Sequence, residues 1–254
     1  MKITLLGTGT SQGVPVIACL CNVCNSSSSK DNRLRCSVLI ETENTTIVID
    51  TGPDFRQQML RNHVTKLDAI LFTHSHKDHV AGLDDIRAFN YFQGKDMPIY
   101  ATEETQNALR KEFSYIFAEE KYPGIPLVEM HTITPENKFT IGDITITPIA
   151  LLHHQMSVLG FRVANFSYIT DANYICPSEL KKIATTEYLI INALRWEKHI
   201  SHFTVGEAIA IAQTTTAKQI YLTHISHQLG LHDEVNQKLP TSIALAYDGL
   251  VLNL

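Results

Sequence analysis

Within twelve residues, FTHSHKDHVAGL (Phe72–Leu83), the chain places His74, His76, Asp78 and His79, three of its twelve histidines. Imidazole nitrogens and a carboxylate at this density form a donor set suited to zinc, manganese or iron. On an extended segment alternate side chains share a face, so His74 and His76 can reach one ion. Asp78 and His79 follow as the chain turns into a helix, and they point elsewhere. One loop can therefore supply two adjacent ions. A solvated polar loop is the plain alternative, but the full HxHxDH spacing after an apolar run favours metal.

Such a loop needs a frame. Short β-like runs fill the first seventy positions: KITLLGT, CSVLIET, TTIVIDT and LDAILFT. DDIRAFNYFQG and TEETQNALRKEFSYIF have helical spacing, the second starting at Thr102. KYPGIPLVEMHTITPENK carries three of the nine prolines and is expected to be loop-rich. The second half repeats the pattern. FTIGDITITPIALLH reads as a hairpin, then LGFRVANFSYITDA, EYLIINAL and QIYLTHISH as strands, with TVGEAIAIAQTTT a helix between the last two. Strands with helices between them predict one layered α/β unit spanning 1–254. Asp50, His74, Asp171 and His224 each close a predicted strand, where layered α/β proteins build ligand sites. Four such groups can converge in one cleft.

A second cluster, ACLCNVC, puts Cys19, Cys21 and Cys24 within six residues. Three thiolates at this spacing can wrap one side of a tetrahedral zinc, with Cys36, Cys176 or a histidine available as the fourth ligand. KHISHFTVGEA carries His199 and His202 just before a helix, where SHFT could serve only as a cap. His199, His63, His131 and His232 read as solvated.

Composition narrows the class. With 254 residues, 44% apolar and 19% charged, the chain is an ordinary globular protein. A net charge of −5 without a Lys/Arg run disfavours an extended nucleic-acid surface, while a small anion remains acceptable beside a metal. The apolar run at the N-terminus is too short for a signal core, and no segment approaches a membrane span, so a cytoplasmic location is expected. Five cysteines in a reducing compartment argue against a disulfide framework.

THSHKDHVAG resembles the signature of the metallo-β-lactamase superfamily, and the likeness extends over nearly the whole chain through VIDTG, ALLHHQMSVLGFR, YITDA and LTHISH. The resemblance implies a four-layer αββα sandwich, two mixed β-sheets flanked by helices. It implies one ion held by His74, His76 and His153, a second by Asp78, His79 and His224, and Asp171 bridging them. His153 and His154 compete for one place, and the offset to VLGFR favours His153. Asp50 then serves to orient a ligand through a hydrogen bond.

GTGTSQGVP, the cysteine loop and HISH are similar to the branch containing the phosphoribosyl cyclic phosphate phosphodiesterase of phosphonate breakdown. That likeness implies a closed structural zinc site at Cys19, Cys21, Cys24 and His227, in an N-terminal loop at about 19–24, with His202 as general acid. The implied enzyme is a phosphoric diester hydrolase with two catalytic Mn²⁺ or Zn²⁺ ions, acting on a small phosphate ester, cyclic esters included. Ions roughly 3.5–4 Å apart would make water nucleophilic at neutral pH, with Asp78 and His202 in the reacting centre. Relatives also suggest a homodimer. The same donors suit a lactone or thioester hydrolase or a tRNA 3′-processing endonuclease, though the chain has no basic Gly-rich arm. A non-enzymatic metal-stabilised module would be expected to lack a ligand, and none is missing here.

Overall fold

The computed structural model describes residues 1–120 and 122–254. Two seven-stranded mixed sheets lie face to face. The first is ordered β14-β1-β2-β3-β4-β5-β6, from β1 (Lys2–Gly7), β2 (Ser37–Glu41), β3 (Thr46–Ile49), β4 (Ala69–Leu71), β5 (Met97–Ala101), β6 (Val128–Thr132) and β14 (Val251–Asn253). The second is ordered β13-β12-β11-β10-β9-β8-β7, from β7 (Phe139–Ile141), β8 (Ile144–His153), β9 (Met156–Val163), β10 (Phe166–Ile169), β11 (Tyr188–Asn192), β12 (Gln219–Thr223) and β13 (Ile243–Leu245). In each sheet four successive strands run parallel, β3 to β6 and β10 to β13, and the others antiparallel.

Period-two side-chain alternation lets single strands bury both faces. Ile47 and Ile49 join the core between the sheets, with Ile3, Ile146, Phe161 and Tyr168. Val48 between them faces the outer layer, against Phe55, Met59 and Phe89. That layer holds α1 (Phe55–Arg61), α2 (Lys77–Val80), α3 (Arg87–Gln93) and α4 (Glu103–Glu112). Thr102 caps α4, its hydroxyl accepting from the Thr105 N–H at 3.2 Å. On the far side lie α5 (Pro177–Ile183), α6 (Val205–Ala212) and α7 (His232–Asn236). Ile183, Val205, Ala208 and Val235 pack there on Leu189, Ile191 and Leu222. The layers are helix, sheet, sheet and helix, as the resemblance implied.

Three local expectations change. Part of the proline-bearing middle is a strand: β6 pairs in parallel with β5, its apolar positions half-covered at the sheet edge. Lys121, in that same stretch, lies outside the described residues. LGFRVANFSYITDA is two strands, β9 and β10, reversed at Ala164–Asn165, where Ala164 takes φ 50°. His232 is buried, not solvated, because Asp31 accepts its backbone N–H at 2.8 Å and its Nδ1 lies 3.1 Å from the Arg33 guanidinium. Burial and the Arg33 charge push its imidazole down to about 4. Among the described residues no helix is long and apolar enough to cross a membrane.

Candidate metal centre

Asp50 follows β3, His74 follows β4, Asp171 follows β10 and His224 follows β12, all at the carboxyl ends of strands. Three of them, Asp50, Asp171 and His224, have left-handed backbones with φ of 63°, 53° and 56°. Non-glycine residues adopt that region at a cost, so the surrounding fold must hold them there. The left-handed step takes each residue out of its strand at the rim of the cleft. Gly52 and Gly82 close the same corner: a Cβ on Gly52 would meet the Asp78 carbonyl oxygen at 2.1 Å, and one on Gly82 the Gly52 carbonyl oxygen at 2.2 Å. Their missing side chains allow the β3 end to lie directly against the histidine loop.

His76 is the extended residue before α2, and Asp78 and His79 fall in the first turn of that helix. The loop thus diverges into two groups. His74, His76 and His153 bring one donor atom each within 4.8 Å of one another, and Asp78, His79, Asp171 and His224 form a second such group. Asp171 also lies within that range of His153 and His202. It stands where the groups meet. His154 turns away at an exposed β8–β9 position, so the imidazole in the cluster is that of His153.

The far nitrogen of several of these rings is already committed. The His79 Nδ1–H donates to Asp50 Oδ2 at 2.7 Å. The Thr73 hydroxyl donates to the same oxygen at 2.8 Å, so it can only accept from His74 Nδ1–H at 3.0 Å. His153 Nδ1–H donates to the Ser201 carbonyl at 2.8 Å. These bonds fix the tautomers, so that each ring in its neutral form presents an Nε2 lone pair. Thr10 Oγ1 lies 3.4 Å from His224 Nε2.

The buried atoms His74 Nε2, His79 Nε2 and His224 Nδ1 have no hydrogen-bond partner. His79 Nε2 nevertheless lies 3.1 Å from both Asp78 Oδ2 and Asp171 Oδ2, and His224 Nδ1 lies 3.1 Å from Asp171 Oδ2. Imidazole nitrogens and carboxylates converging at this range without a hydrogen-bond network fit a cation, since orphaned buried polar atoms are otherwise costly.

The electrostatics point the same way. Burial works against charge on His79, but Asp171, Asp50 and Asp78 outweigh it and hold that imidazole well above its ordinary range. Burial lowers His74 and His224. Asp171 is held well below the usual carboxylate range, because His224 and His79 outweigh its burial. The site thus keeps positive charge on His79 among three carboxylates, a proton that a bound ion would displace.

Cys19, Cys21, Cys24 and His227 also bring their donors within 4.8 Å. His227 Nδ1 is 3.4 Å from Cys19 Sγ and 3.3 Å from Cys21 Sγ. The Cys24 N–H and His227 lower the Cys21 thiol to about 6, while burial pushes the Cys24 thiol up to about 11. Cys36 and Cys176 stay apart: Cys36 is buried against the Gly9 carbonyl, and Cys176 meets Ser178. His202 is not a helix cap. Thr204 caps α6 in a capping box with Glu207, leaving the buried His202 with Nδ1 3.8 Å from Asp171 Oδ1. Its ring stands 4.7 Å from those of His153 and His224.

Sequence reasoning missed Thr73, Ser201 and His199. Thr73 was visible beside His74 as a hydroxyl that can orient it. Ser201 acts through its backbone and leaves no signal. His199, expected at the surface, packs 5.1 Å from the His202 ring.

Two facing mixed sheets with histidines and aspartates gathered at their strand ends define the metallo-β-lactamase fold. The chain belongs to the β-lactamase superfamily, its residues 45–225 matching the Beta-lactamase superfamily domain. It superposes with a TM-score of 0.92 on the crystal structure of a new diphosphatase from the PhnP family, 39% identical, covering 99% of this chain and 96% of that one. It is 38% identical over 252 residues to an octanoyltransferase of Porphyromonas gingivalis, across 98% of this chain and 51% of that protein. A ribonuclease Z of Nostoc is 29% identical over 168 residues, across 65% of this chain and 46% of that protein. The chain therefore spans about half the length of these two curated relatives.

Proposed function

We propose that the protein is a dimetal phosphodiesterase that hydrolyses a diesterified phosphoryl group of a small molecule. The observation that carries this reading is Asp171. It stands in the second donor group and also reaches His153 and His202, so two ions and a proton-bearing imidazole can meet at one reacting centre. His74, His76 and His153 would hold one ion, Asp78, His79 and His224 the other, and Asp171 both. Two zinc or manganese ions would supply Lewis-acid charge for the phosphoryl oxygens and make water nucleophilic near neutral pH.

The chain does the rest. Asp50, Thr73 and Ser201 hold the histidines in the tautomer that presents a lone pair. His202 lies buried beside Asp171, where a leaving oxygen would need a proton. The likeness to a diphosphatase supports cleavage at phosphorus. Cys19, Cys21, Cys24 and His227 form the structural zinc site of this reading, tying the N-terminal loop to the segment that carries His224.

Acyl hydrolysis is the second reading, and the likeness to the octanoyltransferase favours it. That name, however, belongs to a protein about twice the length of the matched stretch. Attack at phosphorus is checked with p-nitrophenyl ethyl phosphate in ¹⁸O-water. The expected result is one ¹⁸O in the ethyl phosphate and none in the p-nitrophenol. An unlabelled phosphate product would exclude attack at phosphorus.

A further inference from the structure

A cavity of about 410 Å³ opens beside the first donor group, with His76 and His153 among its lining residues. One wall is the β8–β9 turn, with His154, Gln155 and Met156; the other is the segment carrying His199 and Ile200. The volume lies in the lower part of the range of small-molecule sites, roughly 300–1,000 Å³.

The two walls are fixed to each other. Asn173 Oδ1 accepts the His154 N–H at 2.6 Å, and Asn173 Nδ2 donates to the Ile200 carbonyl at 3.2 Å. Asn173 follows Asp171 by two residues, so the residue shared by the metal groups and the clamp between the walls belong to one short segment. The cavity is thus built together with the centre.

Its lining is selective. Among the described residues no lysine or arginine lines it, so a second phosphate would meet no cationic side chain in the lining itself. Met156 and Ile200 are apolar, and Ile200 is 68% exposed with nothing covering it. His199 accepts from the Ser201 hydroxyl at 3.2 Å and backbone N–H at 3.4 Å through Nδ1, which holds its ring at the wall. Imidazole faces and aliphatic side chains are the surfaces on which flat rings stack. The His202 ring stands 5.1 Å from that of His199, so the imidazole that would donate the proton is next to the cavity.

Resting on the phosphodiesterase reading, we infer that this cavity is the leaving-group subsite and that it selects an uncharged, ring-bearing alcohol over an alkyl or phosphorylated one. His199 and Ile200 are its specificity-determining residues. The ester consumed is then an aryl, heteroaryl or similarly flat ester, with its ring against the wall formed by Ile200 and the His199 imidazole.

The test is calorimetric titration of the zinc-loaded protein with phenylphosphonate and with ethylphosphonate, whose C–P bonds are not hydrolysed. Phenylphosphonate is expected to bind about tenfold tighter, the scale of one ring stacked on a side chain. Ile200→Ser and His199→Ala should each bring that ratio to within about twofold of unity while the ethylphosphonate affinity holds. Both positions lie outside the core, and a thermal melt verifies that each variant is folded. Equal affinities in the wild type, no binding of phenylphosphonate, or a ratio that survives both substitutions would overturn the subsite. Diester turnover is scored separately, so failure of the phosphodiesterase reading shows as absent turnover even where the ring preference stands.

Discussion

Asp171→Asn should leave the protein folded while lowering its affinity for divalent cations at the catalytic centre by at least about 100-fold, since losing even an outer hydrogen-bond partner of a metal ligand costs 10–100-fold. The substitution preserves volume and suits the backbone, because asparagine tolerates the left-handed region that residue 171 occupies at φ 53°. What it removes is charge. One Asp171 oxygen lies 3.1 Å from both His79 Nε2 and His224 Nδ1, and the other lies 3.8 Å from His202. Both donor groups should weaken together. Metal analysis after dialysis against a buffered chelator would show about one retained ion, the one at Cys19, Cys21, Cys24 and His227. Wild-type metal content and turnover in this variant would show that Asp171 holds neither ion.

His202→Ala is expected to separate leaving groups. A positioned proton donor contributes about 100-fold or more to a reaction that needs it. Hydrolysis of a diester with an alkyl leaving group should therefore fall by at least about 100-fold, and that of a p-nitrophenyl diester by less than about tenfold, because p-nitrophenolate departs unaided. Metal content should not change. Burial, together with the charge His224 can carry, pushes His202 down to about 3, so in the free cleft the imidazole is neutral. On this account a phosphoryl anion bound beside it would supply the negative charge that raises it again, and the imidazole would take up its second proton only then. Equal losses on both leaving groups would assign His202 to binding and not to proton transfer.

Much of this centre could be read from residue spacing. HxHxDH separates into two directions because an extended residue at His76 gives way to a helical turn at Lys77, a change the spacing already contains. The cysteine loop was legible for the same reason, three donors within six residues. Its partner His227, some 200 positions on, came only from the resemblance, since spacing carries no information across that distance. What stayed hidden depends on backbone geometry. Asp50, Asp171 and His224 were placed at strand ends, but their left-handed conformations leave no mark in a strand-like run. His232 looked like a turn residue in a polar stretch. Asp31 and Arg33, about 200 residues away in the chain, bury it. β6 was hidden because its pattern is that of an edge strand interrupted by polar residues, and only its pairing with β5 reveals it.

The most direct measurement is side-by-side turnover of bis(p-nitrophenyl) phosphate, an S-octanoyl thioester and a chromogenic lactone by protein reconstituted with zinc or manganese. A phosphodiesterase should cleave the diester fastest, lose that activity when chelated and regain it on metal return. Hydrolysis of the thioester or lactone without the diester would contradict the account: the cations at His74, His76, Asp78, His79, His153, Asp171 and His224 would then serve acyl chemistry.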